Sequence, residues 1–258
     1  MGRRSTPGAI DPRVGGTSTE PALADEAVIE VDWPSGSIAV HGSPWESDAF
    51  AVGHLVTEGH VPSFRAIRSV TVEPEDGRVS VRVEAARGRG PRIVRRDNVT
   101  LNSARRSLGR SIPPGERRIE PEDLLSLARF LAEREQDMRA AGPLHWAVLY
   151  DPASGEAILA SDLSRHSAMD KVVGKALLSD VPVAGRILYS TGRLGEEMAA
   201  KAVRVGAGAL ATRSVAFRPA VDLARAHGLV LVGRLLPGGF LPYAGPALFL
   251  RRSRRTRR

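Results

Sequence analysis

The chain of 258 residues contains no cysteine. Disulfides, thiolate metal sites, iron–sulfur ligation and every thiol nucleophile are therefore excluded. No run approaches the roughly eighteen uninterrupted apolar residues of a membrane span. The N-terminal "MGRRSTPGAIDPRVGGTSTEP" lacks the apolar segment of a secretory signal, so a flexible leader over 1–25 and a cytoplasmic protein are expected. The six histidines include no pair at i, i+4, and no metal site is expected. Other chemistries fall to missing motifs. No Walker loop is present, and "GRGPR" at 88–92 lies in a basic stretch rather than between a strand and a helix. The zinc deaminases need a His-x-Glu and a Pro-Cys-x-x-Cys, and neither occurs. No Gly-x-Ser-x-Gly elbow supports a serine nucleophile.

What is present suits a folded protein, because 42% of residues are apolar. The net charge of +8 is uneven. The tail "RRSRRTRR" at 251–258 supplies six arginines and no acid. Residues 87–118 hold ten more against Asp97 and Glu116. Such runs attract nucleic acid or acidic partners. The connector, however, has no aromatic residue to stack bases, so nucleic acid is not the expected partner.

Alternating apolar residues at 27–40 read as a hairpin around Pro34-Ser35-Gly36, and residues 69–85 read as a second around Glu75-Asp76-Gly77. Between them "WESDAFAVGHLVTEGHV" reads as a helix. These elements make a small N-terminal α+β unit over 26–86. Residues 87–120 read as a mobile basic linker with no packed element. Pro121, Glu122 and Asp123 open one helix predicted over 121–139. Strands and helices then alternate to a last strand, "LVLVGRLL". The fold class expected is α/β, the small unit preceding a layered α/β domain over 121–250. Ligands in such domains bind at the C-terminal ends of parallel strands.

Three polar clusters fall at those ends: Asp162 to Lys171, "STGRLGEEM" at 190–198 and "GRLLPGG" at 233–239. Their chemistry points to anion recognition. Gly192 would let a ligand approach backbone N–H groups at a helix start. Arg193 and Arg165 offer guanidinium groups suited to phosphate. "SDLSRHSAMDKVVG" at 161–174 is read as a structured polar network shaping the pocket. Arg165 and His166 are expected to face the ligand, and Asp170 to cap or pair within its own helix. A general-acid role for His166 is an open alternative.

The same stretch resembles the Glu-Asp-Val-Gly-Arg-His-Asn-Ala-x-Asp-Lys-x-x-Gly signature of the formate dehydrogenase accessory sulfur carriers, the FdhD family. "AFAVGHLVTEGHV", "GPLHWA", "STGRLGEEM" and "GLVLVGRLLPGGFLPY" resemble further family motifs in the same order, from about residue 27 to 243. The resemblance implies a cytidine deaminase-like α/β domain, usually dimeric. It implies binding of a bis-molybdopterin guanine dinucleotide with molybdenum or tungsten, or of a guanine nucleotide in its place. It implies a formate dehydrogenase-type molybdoenzyme and a cysteine desulfurase as partners. The cofactor loop maps after the final strand, onto Arg234, Leu235, Leu236, Pro237, Gly238 and Gly239. The family's two sulfur-carrying cysteines align with Ala104 and Ser107, so no persulfide can form here and no catalytic residue is assigned. A cysteine-bearing relative or another partner's thiol would have to supply sulfur chemistry. Phe217 stands where the family tends to have threonine.

Overall fold

β1 (Ala27–Trp33) and β2 (Gly36–Gly42) pair antiparallel, and their alternate residues Ile29, Val31, Ile38 and Val40 turn inward. β3 (Ile67–Glu75) and β4 (Arg78–Ala85) form the second hairpin, closed by Asp76 and by Gly77 at φ 67°. Parallel pairing of β4 with β1 joins the two hairpins. α1 (Ser47–Thr57) covers one face, where Phe50, Ala51 and Leu55 meet Val79, Val81 and Val83. The computed structural model describes residues 23–85, 93–95, 108 and 118–245. The leader, most of the basic linker and the arginine tail lie outside them.

Ile93–Arg95 departs from the reading of an unpacked linker. It forms β5, which pairs parallel with β2 and gives the sheet order β3-β4-β1-β2-β5. The physical reason is the open edge of β2, whose backbone groups need partners that a short Ile-Val segment supplies.

The second unit opens as expected on a capped helix. In α2 (Pro121–Glu133) the Glu120 and Asp123 side chains exchange bonds with each other's backbone N–H, and Pro121 fills the first turn. The single helix predicted over 121–139 is broken at Arg134. The Arg134 guanidinium lies over the Phe130 ring at 3.7 Å and donates to the Phe130 carbonyl. That carbonyl is thereby withdrawn from the helical ladder, and the Arg134 N–H turns to Leu131 instead. α3 (Glu135–Ala140) follows.

The larger sheet runs β11-β10-β9-β8-β6-β7. Its strands are β6 (His145–Tyr150), β7 (Ala157–Asp162), β8 (Ile187–Ser190), β9 (Ala209–Thr212), β10 (Val230–Leu236) and β11 (Gly239–Ala244). β8, β9 and β10 are parallel, and the other pairings are antiparallel. α4 (Arg165–Leu178), α5 (Glu196–Arg204) and α6 (Arg218–Ala226) pack on one face, and α2 on the other. Residues alternate between the layers: Leu188 joins the α4–α6 core, while Ile187 and Tyr189 meet Leu124 and Leu127 of α2. Each fully buried leucine contributes about 1.5–3 kcal/mol. The sequence reading ended at β10. β11 escaped it because Pro242 demotes a strand, and β11 is tolerated because it is an edge.

The two units meet where α1 crosses α4, at two glycines inside helices. A Cβ on Gly53 would sit 1.8 Å from the Asp170 carbonyl oxygen, and one on Gly174 would sit 1.8 Å from the Ala49 carbonyl oxygen. Only hydrogen fits at either position. Among the described residues no helix is long and apolar enough to cross a membrane.

Candidate functional site at the strand ends

Asp162 closes β7 and organises the turn into α4. Its Oδ1 accepts the Ser164 N–H at 3.1 Å, and the Ser164 hydroxyl in turn accepts the His166 N–H at 3.3 Å. Its Oδ2 accepts the Ser43 N–H at 3.2 Å and the Ser43 hydroxyl at 2.9 Å, and it lies 2.8 Å from Lys171 Nζ. Asp162 and Lys171 are both fully buried, and Lys171 also donates to the Ser43 carbonyl at 3.1 Å. Burial pulls the Lys171 pKa below its ordinary value although Asp162 opposes the shift.

Asp170 does not pair within its own helix. It lies four residues after His166, on the face turned to α1 and α5, and its partners come from there. Lys201 Nζ sits 2.7 and 2.9 Å from its two oxygens, the Thr57 hydroxyl donates at 2.6 Å, and His54 Nδ1 lies at 3.0 Å. The carboxylate only accepts, so the His54 proton sits on Nδ1. Lys201 also reaches Glu58 at 2.7 Å. Burial opposes the charge on Asp170, but Lys201 and His54 outweigh it and hold its pKa below the ordinary carboxylate value. Burial likewise opposes the charge on Lys201, and the Asp170 and Glu58 carboxylates raise its pKa above normal. Sequence reasoning missed Lys201, Glu58, His54 and Thr57. One signal was available: Lys201 falls between Ala200 and Ala202 on a helix whose neighbouring face is apolar.

The other half of the stretch faces the sheet edge. β6 begins where β7, β8 and β9 end, so His145, Asp162, Ser190 and Thr212 share one edge. The loops there are tied in series. Thr191 Oγ1 accepts the Trp146 N–H at 3.0 Å and lies 3.4 Å from His145 Nδ1. Thr212 Oγ1 donates to the Gly192 carbonyl at 2.7 Å and accepts the Ser214 N–H at 2.9 Å. The Ser214 carbonyl accepts the Arg234 N–H at 2.8 Å. Arg165 lies flat on Gly192, where a Cβ would come within 2.7 Å of its Cδ. Among the described residues its buried Nε has no hydrogen-bond partner.

This edge carries four arginines, and the first turn of α5 adds the acids Glu196 and Glu197. Arg193 and Arg234 are exposed, and Arg213 pairs with Glu135 at 3.2 Å. Arg234 holds a left-handed backbone at φ 48°, beside a register shift between β10 and β11. α4, α5 and α6 all start here, and the N-caps of α5 and α6, Gly195 and Phe217, offer no side-chain cap. Helix N-termini carry partial positive charge, so the edge suits an anion. Burial, assisted by Lys201 and Arg165, lowers the His166 pKa to about 4, which makes the imidazole neutral at pH 7. It then donates from one ring nitrogen and accepts at the other, and the imidazolium proton for general-acid chemistry is absent. Burial and Arg165 lower the His145 pKa as well.

The structure thus brings Arg165, His166, Gly192, Arg193 and Arg234 to one edge. The segment read as a loop after the final strand is different in form. Arg234, Leu235 and Leu236 lie in β10, Pro237 and Gly238 make the hairpin turn, and Gly239 begins β11. Leu235 is buried in the core shared with α2, while Leu236 is 54% exposed. Ala104 and Ser107 lie outside the described residues.

Residues 25–249 match the FdhD/NarQ family. The chain belongs to that family. It is 32% identical over 256 residues to the sulfur carrier protein FdhD of Streptomyces coelicolor, covering 90% of this chain and 91% of the relative. The sulfur carrier protein FdhD of Saccharolobus solfataricus is 26% identical over 200 residues, covering 75% and 76%. The fold is shared with the crystal structure of a candidate formate dehydrogenase accessory protein from Desulfotalea psychrophila, at TM-score 0.68 and 22% identity, covering 87% of this chain and 89% of that one. In this FdhD/NarQ chain the Arg-His-x-Ala-x-Asp-Lys element has two duties. Arg165 lies against Gly192 at the strand-end edge, His166 shares the α4 face of Asp170 and feels Lys201 and Glu58, and Asp170 and Lys171 tie the two units together.

Proposed function

We propose that the chain is a formate dehydrogenase accessory protein that holds the cofactor and contributes no sulfur of its own. The ligand would be a bis-molybdopterin guanine dinucleotide carrying molybdenum or tungsten, or a guanine nucleotide in its place. The observation that carries this reading is an FdhD/NarQ chain with no cysteine whose strand-end edge is nonetheless lined by Arg165, Arg193 and Arg234. A serine oxygen or an alanine methyl cannot hold sulfane sulfur, so the persulfide step belongs to a thiol on another protein. The residues fit phosphate groups, because the buried Arg165 Nε has no hydrogen-bond partner among the described residues and the α6 start has neither a side-chain cap nor an acid in its first turn.

In this reading Arg165, Arg193 and Arg234 bind the phosphates, and Gly192 makes room for the Arg165 side chain, which a Cβ there would meet at 2.7 Å, while its own N–H is spent on the Ser190 hydroxyl. Neutral His166 orients a polar edge of the ligand. Arg234 to Gly239 form the hairpin wall of the site. The cofactor, when bound, supplies the metal centre of the oxidoreductase that receives it. The partners would be a formate dehydrogenase-type molybdoenzyme, a cysteine desulfurase or cysteine-bearing relative, and a second copy of the chain in a cytoplasmic homodimer.

The test is to purify the chain from cells that make molybdenum cofactor, denature it, and identify what is released by mass spectrometry. A stoichiometric guanine nucleotide or pterin is the expected result. A chain that is consistently ligand-free, or that takes up reductant-releasable sulfur from a desulfurase, would refute the proposal.

A further inference from the structure

Phe217 is fixed at the strand-end edge by its backbone and left open by its side chain. It follows β9 and is the N-cap of α6, with extended geometry at φ −87° and ψ 156°. Its N–H donates to the Leu194 carbonyl at 3.0 Å, and its carbonyl accepts the Val221 N–H at 3.2 Å. The ring joins none of the apolar cores and is 44% exposed. Every other phenylalanine, tyrosine and tryptophan among the described residues is more buried. The Arg193 guanidinium carbon stands 5.6 Å from the ring centroid. Among the described residues no carboxylate pairs with Arg193. The first turn of α6 holds no acid either.

An exposed phenyl ring gives up the stabilisation that burial would provide. At an edge rich in arginine it has one natural complement, a flat π-system that carries phosphate. The ring face stacks on such a ligand, and the guanidinium neutralises its charge. We propose that Phe217 is the stacking platform for the purine-type ring of a nucleotide ligand, with Arg193 closing over the same site. The assignment rests on the reading of this edge as a nucleotide-cofactor site. It deepens that reading by naming the residue that recognises the ring as distinct from the phosphates.

The experiment titrates the full chain with GDP and, separately, with inorganic pyrophosphate. It compares the wild type with Phe217→Ala and Phe217→Tyr, after thermal melts show that all three are folded. The alanine variant should weaken GDP binding about tenfold, as for loss of one aromatic–base stack, and leave pyrophosphate binding unchanged. The tyrosine variant keeps the ring face and should restore GDP binding. Wild-type affinity for GDP in Phe217→Ala would overturn the platform and leave the nucleotide site standing. Equal losses for GDP and pyrophosphate would also overturn it, since the ring would then act through the fold. So would an unchanged GDP affinity with weakened self-association in ultracentrifugation, which would make Phe217 a contact between copies. A wild-type chain that binds neither probe would overturn the edge reading and the platform with it.

Discussion

Replacing Asp170 with asparagine removes one charge from the centre of the lock between the two units and almost no volume. In the wild type that carboxylate receives Lys201, Thr57 and His54, and its side chain is 2% exposed. In the variant Lys201 keeps Glu58 at 2.7 Å and can still donate to the amide oxygen, but it loses the second contact and the opposite charge at position 170. The new amide N–H₂ faces donors where an acceptor is needed. Breaking a buried pair by changing one partner costs about 3–5 kcal/mol, and the surviving Glu58 contact puts the loss near the lower end, about 3 kcal/mol. For a chain of this size that corresponds to a fall in melting temperature of about 6–12 °C. The sign of the pH dependence follows from linkage. Asp170 titrates below its ordinary 3.8 in the fold, so its contribution is present above that value and disappears as pH falls through the depressed pKa. Differential scanning calorimetry of wild type and Asp170→Asn at pH 7, 5 and 3 reads both effects. The stability gap should be constant from pH 7 to 5 and shrink in acid. A variant within about 1 kcal/mol of wild type at pH 7 would refute the claim that this network holds the units together.

Gly174→Ala and Gly53→Ala should each destabilise the fold by more than the usual overpacking cost of about 1–3 kcal/mol, because backbone oxygens and not flexible side chains occupy the space; chemical denaturation checks this. His166, followed by NMR, should show no titration between pH 6 and 8 and a midpoint near 4. His166 and His60, both lowered to about 4 from 6.5, stabilise the fold above pH 6.5 and lose that contribution as pH falls toward 4; His166→Gln should flatten the stability loss in that window. Arg234→Gly should be more stable than Arg234→Ala by about 1 kcal/mol, because only glycine relaxes in the left-handed region, while both lose GDP affinity equally.

Local chemistry made most elements legible. Turn residues marked the hairpins, Pro121 with Glu122 and Asp123 marked α2, and the alternation of strands with helices announced the layered domain. The gathering of Asp162, Arg165, Gly192 and Arg193 at one edge followed from the topology that this alternation implies. What stayed hidden depended on residues far apart in the chain. Asp170 meets His54 across 116 positions, and nothing near Asp170 signals a histidine on α1. β5 forms because β2 has an open edge, which no property of Ile93 and Val94 discloses. Two traces were present and went unread. A glycine inside a helix costs about 1 kcal/mol against alanine, so Gly53 and Gly174 each implied a packing reason. Lys201 among alanines implied a buried carboxylate partner.

Calorimetric titration of the purified chain with GDP in moderate salt, alongside Arg193→Ala and Arg234→Ala, addresses the central claim most directly. The account predicts saturable binding by the wild type, weakened about tenfold in each variant as one charge-assisted contact is lost. A folded wild type that binds no GDP, or variants that bind it as well as the wild type does, would contradict the claim that this cysteine-free chain keeps a nucleotide-cofactor site at its strand ends.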